Sequence, residues 1–482
     1  MRKKYVSAAV GILLVSFFVS GCVGKKQLTD PKHPVSLTVW HYYNGSQQEA
    51  FQDLVDEFNS TTGKEKGIHV QCMSKGTVGE LETAVQDSIE GKVGAEEVPD
   101  MFSAYADTAY LIEQQGKLAN LSSYLTEEEL SEYVDSYITE GYIAEDGGLR
   151  IFPVAKSTEV LMINKTDWEA FSNETGASLN DFSTLEGIAR LAEEYYNWTD
   201  ELTPDVNGDG KALYGRDSMA NYFVIGMRQQ GTEIFQVEDG KVTVNDEKEK
   251  IRRLWDNYYV PYIKGYFASY GSFRSDDVKT GDLLAYTGST ASAMYFPDQI
   301  ETNGGSREIE YTVMPAPGLE GGEDFAIQQG AGIVVTKSEE VREYASVEFL
   351  KWITQAEHNI RFGCEAGYLP VKTEAATGEM LDKMIGDNQI KVSDKIYACL
   401  GSVMKESGDT KLYACQSFEG ASAARRVLEY SLSDKAAEDR AQVLEAMESG
   451  SSLEEACASF LTDESFDAWY ESFDYSLKET IP

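Results

Sequence analysis

Oxygen-bearing side chains alternate with other residues through Asp205-Val206-Asn207-Gly208-Asp209-Gly210. Donors at the first, third and fifth positions and a turn glycine at the sixth make the first half of a calcium loop. Arg216 occupies the twelfth position, where a bidentate Glu closes such loops, and Asp217 follows it as a substitute. Asp205, Asn207, Asp209 and Asp217 are therefore a candidate Ca²⁺ set, a structural one that pins a loop without touching a substrate. The same residues suit a plain Asn/Gly/Asp turn equally well. No other cofactor is required. His-Glu-x-x-His, Gly-x-Ser-x-Gly, Walker-type and Cys-x-x-Cys patterns do not occur. Gly330-Ala331-Gly332 lacks the third glycine of a dinucleotide fingerprint. A pair of catalytic carboxylates could be drawn from the 81 Asp+Glu, but a solvated acidic surface accounts for that abundance. The residues point to binding rather than catalysis, with a surface carbohydrate-active enzyme as the competing reading.

Binding chemistry gathers at the ends of apolar runs. Trp40-His41-Tyr42-Tyr43, then Tyr105 and Asp107, then Lys156-Ser157-Thr158, then Tyr286 to Thr290 each follow such a run. Aromatic faces cover the apolar faces of a sugar ring, while Asp, Ser and Lys meet its hydroxyls. In open α/β sheets, ligands sit beyond the carboxyl ends of the strands.

The elements that must place these residues alternate in type. Leu37–Trp40, Ile68–Met73, Val98–Phe102, Val160–Asn164, Leu283–Tyr286, Ile309–Met314 and Gly332–Val335 read as strands. Gln47–Asn59 carries Ala50, Phe51, Leu54, Val55 and Phe58 at helical spacing. Further helices are expected around Leu81–Ile89, Asp167–Ser172 and Leu185–Tyr195. Another follows Thr336-Lys337-Ser338-Glu339, a capping-box pattern. From Ile390 onward the chain reads as helical, with Leu428, Leu432, Val443, Leu444 and Met447 in the core. Strand–helix–strand order implies an α/β fold with parallel pairing.

Composition narrows the setting. The chain has 482 residues and a formal charge of -39, from 42 Lys+Arg against 81 Asp+Glu. Such acidity repels phosphate backbones, so nucleic acid is not an expected partner. Met1-Arg2-Lys3-Lys4 precedes an apolar stretch from Ala8 to Val19, and Ser20-Gly21-Cys22 closes it. This is a secretory signal ending in a lipobox-like Cys22, which would be acylated, with palmitate for example, and become the first mature residue. Losing residues 1–21 removes three positive charges and leaves -42 on 461 residues. Residues 22–34 read as a tether reaching at most ~40 Å, so the globular part is expected on the outer face of the membrane. Cys72, Cys364, Cys399, Cys415 and Cys457 remain; their odd number excludes a disulfide framework, though Cys399 and Cys415 could pair.

Across some 330 residues the chain resembles the family 1 extracellular solute-binding proteins, the receptor components of bacterial ABC importers. The resemblance rests on Leu37-Thr38-Val39-Trp40-His41 with its following helix and on Val98-Pro99-Asp100-Met101-Phe102. It continues through Phe152-Pro153-Val154-Ala155 leading into Val160–Asn164, then Gly330–Thr336 and the Gly367-Tyr368-Leu369-Pro370-Val371 turn. It implies two α/β lobes of the periplasmic-binding-protein type (type II-like), joined by a three-crossing hinge with the ligand between them. Crossings are expected near Ser157–Val160, Ser289–Ala291 and Ile333–Val335. Lobe 1 is then 35–158 plus 290–333, and lobe 2 is 159–289 plus 334–482. By resemblance Trp40, His41, Tyr42, Tyr105, Asp107, Ser157, Ser289, Tyr368 and Phe418 line the cleft. The implied cargo is a sugar or oligosaccharide, uncharged because the candidate cleft holds no Arg cluster suited to phosphate. A glycerol phosphate or other polyol phosphate is the alternative, with Arg361 near the Gly367 turn in its favour. The partners implied are the permease subunits and the membrane, with the protein itself a monomer.

Overall fold

The computed structural model describes residues 28–481, apart from 207, 239–240, 303–304, 388–389, 391 and 407–409. The expected signal at 1–21, Cys22 and Asn207 lie outside the described residues.

Two sheets organise the chain. In the first, the strand order is Ile68–Ser74, Val35–His41, Met101–Ala104, Gly332–Val335, Ile151–Phe152. The first three are mutually parallel, and the last two join antiparallel. The helix Gly45–Ser60 lies in the crossover between the parallel neighbours Val35–His41 and Ile68–Ser74, and Val78–Ile89 lies in the connection from Ile68–Ser74 to Met101–Ala104 on the other side of Val35–His41. Gly45–Ser60 buries the five residues that its spacing marks, Ala50, Phe51, Leu54, Val55 and Phe58. Val78–Ile89 opens with a capping box between Thr77 and Glu80, which satisfies free N–H groups of its first turn. The box expected at Thr336–Glu339 does not form. Glu339 itself precedes the helix Glu340–Ile353, and the Ser338 N–H donates instead to Glu343 Oε1 at 2.8 Å.

The second sheet runs Tyr311–Pro315, Glu159–Asn164, Leu283–Ser289, Ala212–Arg216. Glu159–Asn164 is antiparallel to both its neighbours, whereas Ala212–Arg216 is parallel to Leu283–Ser289. All six residues of Glu159–Asn164 are buried, as a central strand covered on both faces must be. The C-terminal helices Ala421–Glu448 and Asp463–Lys478 join this lobe's core through Leu428, Leu432, Val443, Trp469, Phe473 and Leu477, packing on the helices Met219–Gln229 and Lys248–Ile263. Leu444, expected in that core, is exposed, and Met447 is only partly buried.

The pairing corrects the lobe boundaries expected from sequence. Tyr311–Pro315, placed in 290–333 of the first lobe, is an edge strand of the second sheet. Conversely, Gly332–Val335 sits between two strands of the first sheet, and Ala345, Phe349, Trp352 and Phe362 of the following helices join the first lobe's core. Ladder partners far apart in sequence decide membership, and alternation within one strand carries no record of them.

The hinge changes with them. Ser289 does not start a crossing: it ends its strand, caps the turn Thr290–Tyr295, and the chain stays in the second lobe. Three segments pass between the lobes side by side, near 153–158, 328–331 and 367–371. Bridges Ser157↔Gln329 and Lys156↔Leu369 tie them together. Gly330 (φ 93°) makes this approach possible, because a Cβ there would fall 2.5 Å from the Ala155 carbonyl oxygen. Gly367 (φ 75°) ends the helix Ala356–Ala366 in the left-handed conformation and turns the chain into the third crossing.

Candidate functional site

A cavity of about 400 Å³ opens between the lobes over the second crossing, Ile327–Gly330. The first lobe contributes Glu82, Tyr105, Asp107 and Glu140, and the second contributes Asn221, Phe235, Phe418 and Arg425. A neighbouring space of about 520 Å³ shares Glu140, Gln328 and the segment Ala414–Phe418 and adds Tyr110 and Tyr142.

Each wall is set by local structure. Tyr105 follows the strand Met101–Ala104 and precedes the helix Ala106–Glu113, so Tyr105 and Asp107 stand at the strand end and first helical turn. Asp107 accepts from the Thr108 N–H (2.9 Å) and, across the cleft, from Ser422 Oγ at 2.6 Å. Glu82 accepts from Thr108 Oγ1 at 2.6 Å. In the second lobe, Arg425 Nη2 donates to Asn221 Oδ1 (2.8 Å), and Asn221 Nδ2 donates to Glu159 Oε1 (2.9 Å). Arg216 holds the other oxygen of that buried carboxylate at 2.9 Å. The relay fixes Arg425 against a strand that leaves the hinge. Lys156, buried in the first crossing, pairs with Glu140 and donates to the Gly330 carbonyl at 2.9 Å. Gln328 Nε2 also donates to Glu140, at 2.6 Å.

Of the sequence candidates, the structure brings Tyr105, Asp107 and Phe418 to the cavity. Tyr42 stacks on Tyr105 with ring centroids 6.2 Å apart and planes 17° apart. Tyr368 is 5% exposed and packs on Phe362 and Tyr43 where the third crossing begins; burial raises its hydroxyl pKa. Trp40 and His41 do not line the cavity. Trp40 lies in the first lobe's core, with Lys75 Nζ 3.9 Å above its ring. His41 is enclosed between Tyr43 and Phe51, and burial lowers its pKa to about 4. Consecutive residues of a strand point to opposite faces, and helices cover both faces here: Trp40 meets Leu81 and Val85 on one side, His41 meets Phe51 on the other. Ser157 is a hinge residue bonded to Gln329 through the backbone, and Ser289 caps its turn.

Asp217 is not brought to the turn that carries Asp205 and Asp209. The strand Ala212–Arg216 separates Asp209 from Asp217 and spans about 16 Å at ~3.3 Å per residue. Asp217 accepts instead from the Arg274 N–H at 3.0 Å. Asp200 Oδ1 takes the N–H groups of Gly208 (2.7 Å) and Asp209 (2.8 Å), which does the pinning assigned to a cation. Among the described residues no group of three or more His, Cys, Asp or Glu is placed to hold a metal. All five cysteines described are free, Cys399 and Cys415 included. Arg361 pairs with Glu57, outside the cavity.

Sequence reasoning missed Glu82, Glu140, Asn221, Gln328 and Arg425. Asn221 occupies the first turn after a strand end, but the run Ala212–Arg216 is too short to signal a strand. Arg425 lies in the first turns of a helix entered through Gly420 (φ 92°), a break that marks a helix start.

The profile of a family described as bacterial extracellular solute-binding protein matches residues 53–387, more than half of the chain. The chain belongs to this family. Solved structures share its fold over 92% of its length. One is a cyclic α-maltosyl-1,6-maltose binding protein from Arthrobacter globiformis (TM-score 0.63, 17% identity, all of that chain covered). The GacH receptor of Streptomyces glaucescens, whose structures include a complex with acarbose, matches at TM-score 0.62 and 15% identity over 98% of its chain. UgpB from Mycobacterium tuberculosis, in complex with glycerophosphocholine, matches at 0.63 and 17% over 99%. No curated protein matches the chain by sequence. The two-lobed architecture and the interlobe cavity of this solute-binding protein agree with that membership.

Proposed function

We propose that this chain captures a sugar or oligosaccharide between its lobes and delivers it, chemically unchanged, to the permease of an ABC importer. One observation supports this above the others: a cavity whose walls come from both lobes and whose floor is their hinge. Only contacts made with both lobes can favour the closed state. Acceptors on one wall (Glu82, Asp107) face a donor on the other (Arg425), and a hydroxyl serves both, since it donates and accepts. Tyr105 and Phe418 offer ring faces beside them. Three of the solved relatives bind maltosyl, acarbose or maltodextrin ligands, which supports the carbohydrate reading. Acylation of Cys22 would hold a monomeric receptor at the outer membrane face.

The test is a thermal-shift screen of the chain lacking its signal against mono- and oligosaccharides, glycerophosphodiesters and peptides, followed by calorimetry and chromatography of the ligand. Saturable binding of a saccharide recovered intact is expected. Turnover of the saccharide, or stabilisation by phosphodiesters alone, would defeat the proposal. Arg425 is the observation that keeps a phosphodiester in the screen.

A further inference from the structure

A second interlobe cavity, of about 520 Å³, shares only Ile327, among the described residues, with the space beside Tyr105 and Arg425. Its walls come from both lobes: Val134 and Tyr137 from the first, Glu159, Arg216 and Ile225 from the second, with Leu369 from the third crossing. Small-molecule sites have this size and this make-up, apolar surface with a few polar groups. Capture of a cargo in the cleft makes no use of it.

Two donors in this cavity are unused, one on each lobe. Tyr137 is 4% exposed, and its hydroxyl has no hydrogen-bond partner among the described residues. The Arg216 side chain is 3% exposed. Its Nε donates to the Ser218 carbonyl (3.1 Å) and its Nη2 to Glu159 Oε2 (2.9 Å), which leaves Nη1 without a partner among the described residues. Both unpaired atoms keep accessible surface, and neither residue lines the cleft; the space that both residues line is this one. The Arg216 charge is already met by Glu159, and the exposed carboxylates Glu323 and Asp324 also line the cavity. Neutral acceptor oxygens match the two donors without adding a charge to a site whose buried charges already balance.

We propose that this cavity is a second ligand site, taking a neutral, largely apolar molecule whose acceptor oxygens meet Tyr137 on one wall and Arg216 on the other. Such an occupant touches both lobes and fits them as they stand with Ser422 on Asp107. It therefore favours the closed arrangement and acts as an effector of capture. Glu159 belongs to both sites: Oε2 holds Arg216 here, and Oε1 holds Asn221, which in turn holds Arg425 in the cleft. Tyr137 is the side chain to test, because its hydroxyl can be removed without breaking a hydrogen bond of the fold.

Methyl NMR of the chain lacking its signal, with no sugar present, follows Ile225 and Met404 in the cavity and Ile333 in the first lobe's core. Four probes are added in turn: N-acetylphenylalanine methyl ester, N-acetylphenylalanine, phenylalanine methyl ester and ethylbenzene. The first is neutral and carries two carbonyl acceptors. It is expected to shift Ile225 and Met404 saturably, to leave Ile333 in place, and to bind several-fold more tightly than the anion, the cation or the hydrocarbon. Tyr137→Phe should weaken it by roughly three- to tenfold, the worth of one hydrogen bond, with the melting temperature and the response to ethylbenzene unchanged. Small-angle scattering should give a smaller radius of gyration with this probe bound. No shift at Ile225 and Met404 up to the solubility limit, equal or tighter binding of any other probe, or unaltered binding by Tyr137→Phe would overturn the site. A radius of gyration that stays the same or grows would overturn its role as effector.

Discussion

Replacing Ser422 with alanine removes the one side-chain hydrogen bond from the first turn of the helix Ala421–Glu448 to Asp107 in the opposite lobe. The bond is 2.6 Å long and joins a hydroxyl to a carboxylate. A hydrogen bond to a charged group is worth ~1.5–3 kcal/mol when dry. This one is half-buried, so about 1–1.5 kcal/mol is the better figure, close to a tenfold change in an equilibrium constant. The bond exists only when the lobes are together, so its loss acts entirely on the open–closed balance. Without ligand, small-angle scattering should show a larger radius of gyration for Ser422→Ala. Apparent affinity should fall by up to about tenfold, since the competent fraction scales the measured constant. Thermal stability should barely move, because neither lobe's core is touched. Superimposable scattering profiles together with unchanged affinity would refute the reasoning.

Trp40→Ala should cost about 3–5 kcal/mol of stability, as expected for emptying a buried aromatic site, and should lower the denaturant midpoint rather than remove binding selectively. His41 is held neutral by burial, with its pKa near 4 against an ordinary 6.5. A depressed base means that the unfolded chain takes up the proton first, so stability falls as pH drops from 6.5 to 4. At 1.36 kcal/mol per pH unit that window is worth roughly 3 kcal/mol, and His41→Gln should flatten this part of the stability–pH curve by that amount. Because Asp200 holds the 208–209 turn, neither millimolar Ca²⁺ nor a chelator should shift the melting temperature, while Asp200→Ala should destabilise by about 1–2 kcal/mol.

What could be read from the chain follows the range of the interactions concerned. The helix Gly45–Ser60 and the strands Val35–His41, Ile68–Ser74 and Glu159–Asn164 were legible because apolar spacing is a local signal. The partners of Tyr311–Pro315 and Gly332–Val335 were not, since each pairs with a strand well over a hundred residues away. Tyr105 and Asp107 were found by their place at a strand end. Trp40 and His41, chosen by the same rule, are buried under helices on opposite faces of their strand, and nothing in their residue types marks them as covered. Arg425 and Gln328 owe their position to an interlobe surface that exists only after folding.

The 28-residue helix Ala421–Glu448 begins at the cavity with Ser422 and Arg425 and runs about 42 Å at 1.5 Å per residue. It is a rod with one end at the proposed cargo site. A tilt of about 10° at the occupied end would swing the far end by roughly 7 Å over that length, enough for a protein docked on the distal face to register whether the receptor is loaded without ever meeting the solute.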